Sequence, residues 1–302
     1  MIGRPRPSQA ATGALLVLAG LVCQELGASI AVTLFPQVGP IGMVTLRLVF
    51  AAFILLAVAR PSLGGHPRSA WVSAVGFGVV LAAMNVCFYL ALDRIPLGPA
   101  VTLEILGPLA LSVIAGRRWT SALWAGGALV GVLLRGGVLL HSGPTAALDP
   151  IGVILALAAG ALWIGYILLS ARTGTEFPGL SGLAIAAAIG ALVTIPLAAT
   201  TAGTALFDPV ILLLGLGVAA LSSAVPYALE FVALRRLSAA TFSILLASAP
   251  AIAAIAGLLV LGQELTTPQW LGIACVVGAG IGAVLSARRG PSPEVQPSIA
   301  PS

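Results

Sequence analysis

The chain has 302 residues, 59% of them hydrophobic, with 14 basic and 9 acidic side chains, where a soluble globular protein of this length carries about 75 charges. That is too few to solvate a surface. A mean hydropathy of +1.12 with 36 Gly and 21 Pro fits a polytopic membrane protein, whose helices tolerate Gly and Pro better than soluble ones do. Soluble enzymes, secreted modules and nucleic-acid binders are set aside.

Apolar runs of spanning length read at 11–35, 39–59, 70–92, 97–115 and 119–140, and again at 150–171, 180–200, 209–234, 238–261 and 268–287. That makes ten helices. A barrel would alternate apolar and polar residues over about ten positions, and these runs do not. The first run is longer than a secretory core and holds Gln24 and Glu25, so it reads as a true span. The remainder is a tail at 1–10, a connecting loop at 141–149 and a Pro- and Ser-rich tail at 288–302 expected to be disordered.

All the basic residues are arginine, and if the helices alternate, Arg4, Arg6, Arg60, Arg68, Arg117, Arg118, Arg172, Arg235, Arg236, Arg288 and Arg289 share one side. Only Arg94 and Arg135 oppose them, so both termini are expected in the cytoplasm and the chain in a bacterial inner membrane. Trp71, Trp119 and Trp270 stand at headgroup depth as anchors. Cys23, Cys87 and Cys275 fall inside apolar runs, without disulfide or metal-site spacing, and read as packing residues.

A shift of 142 positions lays Phe88–Pro108 over Glu230–Pro250 without a gap, with five identities. Few as they are, they superpose the junction of the third and fourth runs on that of the eighth and ninth. The fifth and tenth runs both carry GxxxG, Gly127 to Gly131 and Gly278 to Gly282, a pattern for close helix packing that leaves a homodimer open as an alternative. The chain thus reads as two five-helix repeats, 11–140 and 150–287. Because five is odd, the second copy enters the membrane from the opposite face, as in many secondary transporters.

Four ionisable residues lie within the runs: Glu25, Arg47, Glu104 and Glu230. Each costs about 2.5 to 3.5 kcal/mol near the bilayer centre, so they must face one another or water. Arg47 and Glu104 lie at similar depth, which permits either a helix-locking ion pair or a site where Arg47 takes a substrate carboxylate with its forked donors. Glu230 lies near a helix end, where a side chain can snorkel. A carboxyl group in an apolar setting is able to hold and release a proton, which makes Glu25 a candidate proton carrier or ammonium-group partner, with Glu230 the second candidate for the proton.

Pro108, Pro226 and Pro250 fall inside runs, and each frees the carbonyl four residues earlier, those of Glu104, Ser222 and Leu246. Asn85, Tyr89, Trp163, Tyr166 and Tyr227 are candidates to line the same cavity, although aromatic residues at this depth also serve as packing. His66 and His141 lie on opposite sides and cannot share a metal site, and no HExxH, GxSxG or Walker loop occurs. No cofactor, metal or nucleotide is expected, so uphill transport must draw on an ion or substrate gradient.

Both halves carry segments that resemble the drug/metabolite transporter superfamily, specifically the threonine/homoserine exporter branch of its EamA-type members. They are ASIAVTLFPQVG with TLRL (Ala28 to Gly39, Thr45 to Leu48), MNVCFYLAL (Met84 to Leu92), PLGPAVTLEILGPLA (Pro96 to Ala110), PYALEFVAL (Pro226 to Leu234), and AIAAIAG with LGQELT (Ala251 to Gly257, Leu261 to Thr266). The resemblance implies an all-α membrane fold of ten helices in two inverted five-helix halves, with a central cavity formed by helices 1 to 4 and 6 to 9. It implies export of amino acids or other metabolites, with Arg47, Glu104 and Glu230 at positions where the branch has the same residue. Two positions depart from it: Glu25 stands where the branch commonly has Gln, and Ala249 where it commonly has Glu.

The leading expectation is a non-enzymatic exporter of small amino acids, coupled to protons, with Arg47 on the substrate carboxylate and Glu104 on Arg47 or the ammonium group. Efflux of apolar or cationic drugs is the alternative within transport. A structural or lipid-interacting membrane protein, in which the charges only pin helices, is the alternative of another class.

Overall fold

A computed structural model describes residues 7–116, 148–234, 236–237, 242 and 245–288. The predicted fifth run, most of the 141–149 loop, the first six residues and the tail from 289 lie outside them. The elements are α1 (Pro7–Thr33), α2 (Phe35–Ala59), α3 (Arg68–Leu92), α4 (Leu97–Glu104), α5 (Leu106–Gly116), α6 (Pro150–Glu176) and α7 (Ser181–Thr201). A 3-10 turn (Gly203–Phe207) leads to α8 (Pro209–Ala219), a π segment (Ala220–Ala224), α9 (Val225–Leu234), α10 (Ala249–Leu261) and α11 (Thr267–Arg288). Every regular element among the described residues is helical. Among the described residues five segments, Ala11–Thr33, α2, α3, α6 and α7, are long and apolar enough to cross a membrane, and shorter apolar stretches lie at Leu97–Leu111, Pro209–Ala224, Ala249–Leu261 and Gln269–Gly278.

Local chemistry sets the boundaries. Asp149 and Asp208 cap α6 and α8, accepting hydrogen bonds from Ile151 N at 2.8 Å and Val210 N at 2.7 Å, with Pro150 and Pro209 filling the first helical turn where no donor is needed. Gly39 breaks α2 at φ 69° because the Pro40 ring cannot continue the preceding turn. Pro250 lies in the first turn of α10 and not inside a longer helix, since the ninth run is interrupted at Ala247 and Ser248. Cys23 and Cys87 are half-buried, but Cys275 is exposed and not the buried packing residue its apolar run suggests.

Two local features recur at the 142-residue spacing. After α3 the N–H groups of Arg94 and Ile95 both bond to Ala91 O, and after α9 those of Arg236 and Leu237 both bond to Ala233 O. The fourth run breaks at Ile105, between α4 and α5, and the ninth breaks at Ala247, the position 142 residues later.

Packing crosses between the first and second parts of the chain: α1 lies on α9 and α10, α6 on α3, α4 and α5, and α2 on α7. Small residues permit the close approaches. A Cβ at Gly98 would lie 2.9 Å from Ala254 Cα, and one at Gly160 would lie 2.5 Å from the Glu104 carbonyl oxygen. This last contact covers the carbonyl that Pro108 leaves without its helical donor.

Arg94 pairs with Asp149 at 3.0 Å on the surface. That hydrogen bond, helped by the Ile151 N–H, holds the Asp149 carboxyl below its usual 3.8. A lowered folded-state value stabilises the protein above the unfolded value and is lost as pH falls through the folded one. Asp149→Asn, which can still cap α6, is therefore expected to lower the melting temperature slightly at pH 7. The difference from wild type should shrink once pH drops below 3.8; thermal melts across that range check it.

Candidate functional site

Arg47 projects from the middle of α2 and is half-buried. Its Nη1 donates to Tyr89 Oη of α3 at 3.3 Å, and its Nη2 donates to the Ser222 carbonyl at 3.4 Å. The guanidinium carbon lies 5.6 Å from the centre of the Tyr89 ring, within cation–π range. The Ser222 carbonyl is available because Pro226, four residues on, has no N–H to offer it, and the widened π segment presents it to α2.

Two carboxylates share this neighbourhood. Glu25 on α1, only 2% exposed, lies within electrostatic reach of both Glu104 and Arg47, and Glu104 at the end of α4 lies within reach of Arg47. Four separate elements thus bring Glu25, Arg47, Tyr89 and Glu104 together. A guanidinium with two carboxylates in electrostatic reach offers donors for a carboxylate and acceptors for an ammonium group, the two ends of an amino acid.

The other sequence candidates are placed differently. Asn85, 5% exposed, lies one turn from Tyr89, and its Nδ2 donates to Leu81 O of its own helix at 2.8 Å. Trp163 and Tyr166 are half-buried on α6, and Tyr166 meets Phe77 edge-on at 5.1 Å. Phe77 is about 18 Å from Tyr89 along α3, so Tyr166 is not beside Arg47. Tyr227 and Glu230 lie on α9, but their side chains are outside the description.

Sequence reasoning missed a set of buried hydroxyl residues around this cluster. Thr45, two residues before Arg47, bonds to Ile41 O at 3.0 Å and to Thr194 O of α7 at 3.2 Å, tying α2 to α7. Ser29, Thr102 and Ser222 each satisfy themselves on a carbonyl of the preceding turn. Hydroxyls are common in membrane helices, and nothing in their spacing singles these out.

Comparison with known proteins decides the family. The EamA-like transporter family matches residues 150–285. The threonine/homoserine exporter RhtA of Salmonella typhimurium LT2 is 39% identical over 278 residues, covering 92% of each chain. RhtA of Escherichia coli K12 is 38% identical over 276 residues, covering 91% of this chain and 92% of that one. The chain belongs to the EamA-like transporter family, in the threonine/homoserine exporter branch. A solved crystal structure shares the fold with a TM-score of 0.58 at 19% identity, covering 95% of this chain and 99% of that one. As an EamA-like protein with several apolar helices of spanning length, the chain is a multi-pass membrane protein and a transporter, not an enzyme.

Proposed function

We propose that this EamA-like protein exports small amino acids of the threonine or homoserine kind from the cytoplasm across the bacterial inner membrane. Arg47 binds the substrate carboxylate, Glu104 receives the ammonium group or holds Arg47 when the site is empty, and Glu25 carries the proton that drives exchange, with Glu230 as the second candidate. The observation that carries this reading is a half-buried guanidinium within electrostatic reach of two carboxylates, in a chain 38–39% identical to named threonine/homoserine exporters.

The architecture we infer is ten helices in two inverted repeats, 11–140 and 150–287, with both termini in the cytoplasm. Three observations support it: the recurring turns after α3 and α9, the breaks at Ile105 and Ala247, and the reciprocal packing of α1 on α9 and α10 and of α6 on α3 and α4. Helices broken near the midplane suit a protein that alternates its access around one site.

The test uses purified protein in liposomes loaded with threonine. An inward proton gradient is expected to accelerate threonine release, and Glu25→Gln, which keeps the shape of the side chain but cannot ionise, is expected to abolish that acceleration while threonine exchange without a gradient persists. Acceleration of the variant equal to wild type would remove Glu25 from coupling.

A further inference from the structure

The turn after α3 and the turn after α9, alike in their hydrogen bonds, are also alike in what they touch. Ile95, 3% exposed, seats on Gly152 near the start of α6, where an added Cβ would lie 2.7 Å from Ile95 Cγ2 and 3.0 Å from Arg94 Cβ. Leu237, 9% exposed, seats on Gly13 of α1, where an added Cβ would lie 2.7 Å from Leu237 Cγ and 3.2 Å from Arg236 Cβ. Ile95 and Leu237 are 142 residues apart, the repeat spacing. Gly152 shifted back by that spacing falls three residues before Gly13, close to one helical turn and so on the same face. Each turn thus rests on a helix from the other half of the chain.

The two contacts lie at opposite ends of the molecule. Phe35, directly after α1, meets Tyr89 near the end of α3 with ring centres 5.8 Å apart, so Ile95 and Gly152 belong to the end where α1 stops. Gly13 lies about 30 Å back along α1, at the arginine-rich end with Arg60, Arg68 and Arg236. Glu25, with the Arg47 cluster, stands between them, about 18 Å along α1 from Gly13.

Both contacts are built to part. The nearest atoms to Gly13 and Gly152 are side-chain atoms carried on a turn, whereas those nearest Gly107 and Gly160 are backbone atoms of packed helices. Arg94 and Arg236, each next to a buried wedge, are exposed, so either wedge sits one residue from water. Withdrawing a turn uncovers one apolar side chain. On the α6 side it also separates the Arg94–Asp149 pair, which at 41% and 33% exposure exchanges readily for water.

We propose that Ile95 on Gly152 and Leu237 on Gly13 are the two gates of the transporter, each sealing one face, and that they unseat in turn. This rests on the export reading above and names the contacts that open and close its site. Each socket needs a glycine because any Cβ holds the wedge off the helix and leaves that face unsealed.

Cysteine pairs test it, because both sockets are close enough for a disulfide. In a parent chain with Cys23, Cys87 and Cys275 replaced by alanine, Ile95→Cys is combined with Gly152→Cys, and Leu237→Cys with Gly13→Cys. Threonine exchange is measured in liposomes before and after oxidation with copper phenanthroline, and mass spectra report the bond. Each pair is expected to form its bond, to lose exchange on oxidation and to regain it with dithiothreitol. A formed bond with undiminished exchange would show static packing, and no bond in a folded variant would show that the wedge does not sit there; either result overturns the gates. Ile95→Ala and Leu237→Ala, which only shorten the wedges, give a second reading in vesicles of defined orientation. Ile95→Ala is expected to raise the half-saturating threonine concentration on the arginine-rich face about three- to ten-fold, and Leu237→Ala to do so on the opposite face. Shifts on the same face, or none, would also overturn the gates. Absence of threonine exchange by the parent protein would instead overturn the export reading.

Discussion

Arg47→Ala is expected to cut threonine efflux from dipeptide-loaded cells about a hundredfold or more, the loss of two charge-assisted hydrogen bonds to a substrate carboxylate. Efflux is read per amount of protein in the membrane, because the variant also leaves Glu25 and Glu104 without their cationic neighbour. Arg47→Lys keeps the charge and loses the planar fork, so it should recover only a small part of the rate. Efflux by the alanine variant at the wild-type rate would take Arg47 out of the substrate site.

Gly160→Val is expected to deplete folded protein, not only slow it. Its Cβ would lie 2.5 Å from the Glu104 carbonyl oxygen, and the partner position Gly107 in turn faces the Gly160 carbonyl. Both obstacles are backbone, so no side chain can swing aside. Overpacking typically costs about 1 to 3 kcal/mol where neighbours can shift, and more where they cannot. Because the collision falls at the break between α4 and α5, relief requires α6 and the backbone at Glu104 to move apart. The check is the yield and melting temperature of detergent-purified protein: a marked loss of both is expected, and unchanged values would mean that α6 and α4 are not in this contact.

Much of this arrangement was legible in the sequence because the membrane leaves few options. Charges buried in lipid must converge, and Glu25, Arg47 and Glu104 share one neighbourhood as that argument requires. Proline chemistry was equally readable: Pro226 frees the Ser222 carbonyl, and Arg47 is the donor found there. The pairing of Gly107 with Gly160 was not readable, because 36 glycines give no sign of which pair faces across two helices. Depth along a helix also misled: Tyr166 looked equivalent to Tyr89 as a polar aromatic within a span, yet its neighbour Phe77 is three turns from Tyr89.

The central claim is export of small amino acids, and its most direct test is a metabolite comparison of the growth medium from otherwise identical cells with and without the gene. Threonine, homoserine or a close relative is expected to accumulate outside the cells that carry it, and to fall to the control level with Arg47→Ala. Unchanged amino acids in both media, with resistance to cationic drugs as the only difference, would contradict the account.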